Sequence, residues 1–197
     1  MSRLVVGVSG ASGALYGVRL VETALAAGFD VDLVVTAPAQ RVAVDELGAS
    51  WSESEIGRRF GPAAARVRLH RADDIGATIA SGSHPVAGMV VVPCSMGTAG
   101  RIAAGLSDGL LERAADVQLK ERRPLVLVVR EMPFSVIHLE NLLRLARAGA
   151  TVMPASPGFY ARPESIDDLV RFVVERALAA VGAPIARTIE WRGGGES

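Results

Sequence analysis

Five short apolar runs, Leu4–Val8, Val31–Thr36, Met89–Pro93, Leu125–Val129 and Thr151–Ala155, alternate along the chain with amphipathic segments. Most of these runs are apolar on both faces, which marks strands of a parallel sheet covered on both sides. Val67–His70 is a weaker sixth candidate. Helical spacing covers Tyr16–Ala27, Pro38–Leu47, Ala72–Ile79, Asp108–Lys120, Ser135–Ala148 and Ile166–Val181. This strand–helix alternation predicts a single three-layer α/β/α domain, Rossmann-like or flavodoxin-like, with a mainly parallel sheet. The domain is expected over residues 1–182, with 183–197 as a loose C-terminal tail containing Gly193, Gly194 and Gly195.

Charge narrows the function classes. Lys+Arg and Asp+Glu balance at 21 each, so no basic excess directs the chain to nucleic acid or an anionic membrane surface. No apolar stretch approaches the ~20 residues of a membrane helix. The first run is too short and too close to Met1 for a signal peptide, so a cytoplasmic protein is expected. The single cysteine, Cys94, leaves no internal disulfide or cysteine-built zinc site, and it reads as a small packed residue. His70, His84 and His138 are scattered, and no metal is expected.

In open α/β sheets, ligands bind at the carboxyl ends of the strands. Here those ends read Ser9-Gly10-Ala11-Ser12-Gly13, Thr36-Ala37-Pro38, Ser95-Met96-Gly97-Thr98, Arg130-Glu131, and Ser156-Pro157-Gly158-Phe159-Tyr160. Hydroxyls and backbone N–H groups at a helix start suit a phosphate or the polar edge of a flavin. Taken singly, each is also an ordinary tight turn. The hydrolase elbow G-x-S-x-G occurs only in part, because Ala14 stands where its second glycine would be.

The segment from Arg113 to Arg123 is dense in charge. Arg113 and Lys120 lie seven residues apart, close to two helical turns, and so share a face. The next strand delivers Arg130 and Glu131 to the crevice end. Cations near loops already suited to anions suggest a second phosphate, although a solvated helix gives the same pattern. Glu46 and Arg176 sit in helical patterns that alone would leave both solvated, and Tyr160 reads as a loop aromatic.

Four blocks together resemble one family: SGASGALYGVRL, SGSHPVAGMVVVPCSM, LLERAADVQLKERRPLVLVVREMPFSVIHLENLLRLARAGA and FYARPESIDDLVRFVVERAL. They are similar to the UbiX-type flavin prenyltransferases over roughly residues 3 to 182. The resemblance implies an FMN-binding domain that joins a dimethylallyl group from dimethylallyl phosphate to N5 and C6 of reduced FMN. The product, prenylated FMN, would pass to a UbiD-type decarboxylase. It also implies a dodecamer with active sites where subunits meet.

Residue by residue, the resemblance assigns Gly10, Ala11 and Ser12 to the first flavin turn and Thr36 to the FMN phosphate. Ser95, Met96, Gly97 and Thr98 match the second flavin loop, and Arg113 an FMN-binding arginine. Lys120, Tyr160 and Arg176 match groups on the prenyl phosphate, with Arg130 beside them. Glu131, Ser12 and Glu46 match groups at the reacting centre. Two positions depart from the family pattern. Many members carry lysine where Gly97 stands, although glycine also occurs there, and many carry histidine where Ala161 stands. Two other readings remain open at this point: oxidative decarboxylation by FMN, and a non-catalytic flavin carrier.

Overall fold

Six strands form one all-parallel sheet in the computed structural model, which describes residues 2–160 and 162–185. In chain order the elements are β1 Arg3–Val8, α1 Ala14–Ala26, β2 Asp30–Val35, α2 Ala37–Leu47, α3 Glu53–Phe60 and β3 Val67–His70. There follow β4 Gly88–Cys94, α4 Met96–Ala103, α5 Leu110–Lys120, β5 Leu125–Val129, α6 Val136–Arg147, β6 Thr151–Pro154 and α7 Ile166–Ala180. The sheet runs β3-β2-β1-β4-β5-β6. Of the two orders the sequence left open, this is the Rossmann one, and it places the switch in chain direction between β1 and β4.

Alternate residues of each strand supply two cores, as the period of two requires. Val6, Val8, Leu33 and Val90 pack under α1 and α7, against Val18, Val21, Val174 and Leu178. Val5, Val34, Met89 and Leu127 pack on the opposite face against Ala99, Ile102, Leu111 and Ala115 of α4 and α5. Asp32 is the exception on this second face: its side chain is fully buried. It accepts hydrogen bonds from Arg3 at 3.2 Å and His70 at 2.8 Å, and lies 3.4 Å from His84 Nε2. Burial pushes the Asp32 carboxyl up, but the His70 hydrogen bond and the Arg3 charge outweigh it and hold it below its usual value.

One helical expectation is corrected, and two helices lie where none was expected. Ala72–Ile79 is not a helix: it is a run of turns ending in a short 3-10 turn, Thr78–Ala80. Asp74 accepts the Gly76 N–H at 3.2 Å, a local side-chain bond that competes with helix formation. Two helices went unread, α3 and α4. Each opens on a serine whose hydroxyl accepts an N–H three residues on, Ser52 from Glu55 and Ser95 from Thr98.

One helix is poorly covered. In α6 only Leu145 is buried, while Val136, Ile137, Leu139 and Leu143 are exposed, and Met132 just before it is 87% exposed. Among the described residues, no helix is long and apolar enough to cross a membrane.

Candidate active site

The carboxyl ends of β1 and β4 are adjacent, and a serine ties them together. Ser9 is buried; its hydroxyl donates to the Pro93 carbonyl at 3.0 Å and accepts the Ser95 N–H at 2.7 Å. The two small-residue loops expected at a flavin are thereby fixed to one another. On one side, a Cβ at Gly10 would collide with the Pro38 ring at the start of α2, so only glycine permits this approach. Ala11 is buried beneath the turn, and Ser12 is exposed above it. On the other side, Ser95 caps α4 and donates to Thr98 Oγ1 at 3.2 Å. Met96 and Thr98 point inward, while Gly97 faces out. An open floor of Gly10, Ala11 and Gly97, edged by hydroxyls and helix-start amides, fits a planar ring with polar edges.

Ser12, Glu46 and Arg130 meet at the first turn. Gly13 begins α1 in a left-handed conformation and offers no capping side chain. Glu46 reaches over from α2 instead, and its carboxylate accepts the Gly13 N–H at 2.9 Å and the Ala14 N–H at 2.7 Å. Partial burial pushes the Glu46 carboxyl up, but the Ser12 hydrogen bond, these amides and the Arg130 charge hold it below its usual value. It is a fixed carboxylate at a helix N-terminus. Arg130 Nε donates to the Ser12 carbonyl at 3.2 Å. Glu131 follows, its carboxylate accepting the Met132 N–H at 3.0 Å. Thr36 caps α2, its hydroxyl accepting the Ala39 N–H at 3.3 Å, and lies one strand away from Ser12.

The loop after β6 departs alongside β5, where the Ala155 N–H bonds the Val129 carbonyl at 2.9 Å. Tyr160 sits edge-on to Phe172, with ring centroids 5.8 Å apart. On the same Phe172 ring, the Arg176 guanidinium stands 6.0 Å from the centroid. Phe172 therefore joins Tyr160 to Arg176, a link absent from the sequence reading. Its one signal was the four-residue spacing to Arg176, one helical turn. Arg176 and Phe172 line a cavity of about 350 Å³ with Met153, Pro154 and Ser156. Ala161 lies outside the described residues.

Arg113 and Lys120 do share a face, as expected, but that face does not reach the crevice of the same protomer. Arg113 donates to the Ala80 carbonyl at 3.2 Å and pairs with Asp116, while Lys120 pairs with Glu121 beside Gly82. The cause is the crossover itself. Parallel strands require the intervening helix to run back, so α5 ends near the start of β5. Lys120 is left at the edge of the sheet opposite Arg130. Cys94 is buried and its thiol is pushed up to about 12, chiefly by burial and then by the Glu112 charge, so it is no nucleophile.

This sheet order and its paired loops at the switch point define a nucleotide-binding protein of the Rossmann type, and residues 1–178 match the family model Flavoprotein. The chain is 46% identical to "Flavin prenyltransferase UbiX" of Synechocystis, with 98% of this chain and 97% of that protein covered. A crystal structure of AnUbiX (PadA1) in complex with FMN and dimethylallyl pyrophosphate superposes with a TM-score of 0.88, at 37% identity, over 98% of each chain. A dodecameric FMN-dependent UbiX-like decarboxylase from Escherichia coli O157:H7 has a TM-score of 0.85 at 44% identity, over 97% of this chain and 100% of that one. The chain belongs to the flavoproteins and, within them, to the flavin prenyltransferase UbiX family.

Proposed function

We propose that this protein is a flavin prenyltransferase that transfers the dimethylallyl group of dimethylallyl phosphate to N5 and C6 of reduced FMN. Near-full-length identity of 46% to a relative named for that activity carries the reading. The alternatives of oxidative decarboxylation and simple flavin carriage have no comparable support.

FMN, bound and reduced, supplies the nucleophile. Gly10, Ala11 and Ser12 on one side and Ser95, Met96, Gly97 and Thr98 on the other hold its ring, and the Thr36 hydroxyl donates to its phosphate. Arg176 and Tyr160, braced by Phe172, bind the donor phosphate and stabilise the negative charge it gains as the allylic C–O bond breaks. Arg130 extends this positive field towards Ser12. Glu131 takes the proton released when the ring closes at C6. Glu46 acts through Ser12, which it orients while capping α1, and is a positioning residue. Apolar walls exclude the water that would trap the dimethylallyl cation.

Arg113 and Lys120 complete this site from a neighbouring copy, since their own protomer turns them away from its crevice. The exposed apolar face of α6 is the surface that such copies cover, and a mean hydropathy of +0.32 accords with this. The assembly is a dodecamer. Its product, prenylated FMN, serves a UbiD-type decarboxylase in the cytoplasm. Residues 1–182 form the catalytic domain; of the tail expected over 183–197, residues 186–197 lie outside the described residues.

Mass spectrometry of FMN after anaerobic incubation with dithionite, dimethylallyl phosphate and the protein tests the activity. A gain of one prenyl unit is expected; recovery of unmodified FMN overturns the assignment.

A further inference from the structure

Arg101 lies on α4, four residues after Gly97 and on the same face. Its guanidinium is held from behind by two buried partners. Nε donates to Glu112 Oε1 at 2.7 Å, and Nη2 donates to Thr98 Oγ1 at 3.1 Å. The Glu112 side chain is 5% exposed and Thr98 is 1% exposed. The remaining nitrogen is turned to the loop surface, for a Cβ built at Gly97 would meet Arg101 Nη1 at 3.6 Å. At position 97 this chain therefore has open space with a clamped guanidinium beside it.

We propose that Arg101 is the cation of the Ser95–Thr98 loop, and that it binds the anionic pyrimidine edge of reduced FMN. This rests on the reading of the protein as a flavin prenyltransferase. Oxidised flavin is neutral, whereas reduced flavin readily loses the N1 proton and spreads the negative charge over N1 and the C2 oxygen. A cation at that edge favours the reduced form, the state from which prenyl transfer starts. Clamping by Glu112 and Thr98 fixes the fork before the ligand arrives, so little side-chain freedom is lost on binding. The ion pair with Glu112 uses Nε and the Thr98 bond uses Nη2, leaving Nη1 for the flavin.

The test compares wild type with Arg101→Gln, which removes the charge and retains a side chain able to bond Glu112 or Thr98. Dissociation constants are measured for oxidised and for dithionite-reduced FMN, together with the midpoint potential of the bound flavin and the melting temperature. Arg101→Gln is expected to leave the oxidised constant within about twofold and to weaken reduced FMN roughly tenfold, moving the two-electron potential about 30 mV more negative. Riboflavin should show the same selective loss. A second variant, Arg101→Gln with Gly97→Lys, places an ammonium on the loop and should restore most of the reduced-state affinity. Equal weakening of both redox states, or a lowered melting temperature with the potential unmoved, would make Arg101 a mere tie between α4 and α5. A loss seen with FMN but not with riboflavin would place it on the phosphate. Either result overturns the proposal. Failure of the wild type to bind FMN in either state would instead sink the parent reading and take this one with it.

Discussion

The Ser9 hydroxyl stands 2.7 Å from the backbone nitrogen of Ser95, across the junction of β1 and β4. One buried oxygen thus sets the spacing of two loops that are 86 residues apart in sequence. Ser9→Ala strands the Ser95 N–H, which should cost roughly 2 kcal/mol of stability. FMN affinity should fall as well, because the loops lose their common reference. Urea denaturation and a fluorescence titration with FMN measure the two effects. Unchanged affinity in a destabilised variant would reduce Ser9 to scaffold.

The proposed completion of each site by a neighbouring copy predicts complementation between subunits. Lys120→Ala should weaken the prenyl donor by about 2 kcal/mol, roughly thirtyfold in Kd, while sparing FMN. Ser12→Trp should block the flavin. In mixed oligomers, some crevices keep an intact Ser12 and face an intact Lys120, so activity at low donor concentration should rise above that of either variant when the two proteins are denatured and refolded together. No recovery, with mixed oligomers demonstrated by mass spectrometry, would confine the site to one protomer.

Glu131→Gln keeps the side-chain shape and its bond to the Met132 N–H but removes the base. Turnover should drop by about 10²–10⁴, the usual range for a positioned proton acceptor. FMN and donor affinities should stay within about twofold of wild type. Single-turnover kinetics separate the chemical step from release. A variant that turns over normally would pass the proton's fate to Ser12 or to the departing phosphate.

Acid should loosen the β2–β3 edge through Asp32. Its carboxyl is held below the ordinary 3.8, so the folded state binds this proton more weakly than the unfolded chain. The resulting stabilisation is complete above that ordinary value and is lost as pH falls through the lower folded one. Asp32→Asn should cost about 3 kcal/mol near neutrality, since Arg3 and His70 lose their anion, and should flatten the acid limb. Denaturation midpoints across the acid range decide this. Parallel acid limbs in variant and wild type would exonerate Asp32.

The strands were legible because their apolar runs are short, bounded and dense in β-branched residues. Sheet order was not, since Val6 would pack equally well beside Leu33 or Val126; only the path of the crossovers selects its neighbours. Helix α4 escaped notice because it is short and opens on Met96-Gly97-Thr98, too poor in apolar residues to show a period. For α3 the signals were present: Ser52, then Glu53 and Glu55, then Arg58 and Arg59. At the site, Ser12 and the Ser95 loop were readable from small residues after strands. Lys120 was readable as a cation on the Arg113 face, but not as one carried to the far edge of the sheet. That displacement depends on helix direction, which periodicity does not encode. Phe172 carried no sequence signal beyond its spacing to Arg176, because its role lies in the Tyr160 and Arg176 side chains that pack against its ring.

The contact between Gly10 and Pro38 has a consequence for redesign. A wall made of a bare backbone and a proline ring has nothing to trim: Gly10 is already minimal, and replacing Pro38 would disturb the start of α2. Bulkier prenyl donors therefore cannot be accommodated from that side. The opposite wall is open at Gly97, where an added Cβ meets only Arg101 Nη1 at 3.6 Å, so selection for longer isoprenoid chains should collect its substitutions around position 97.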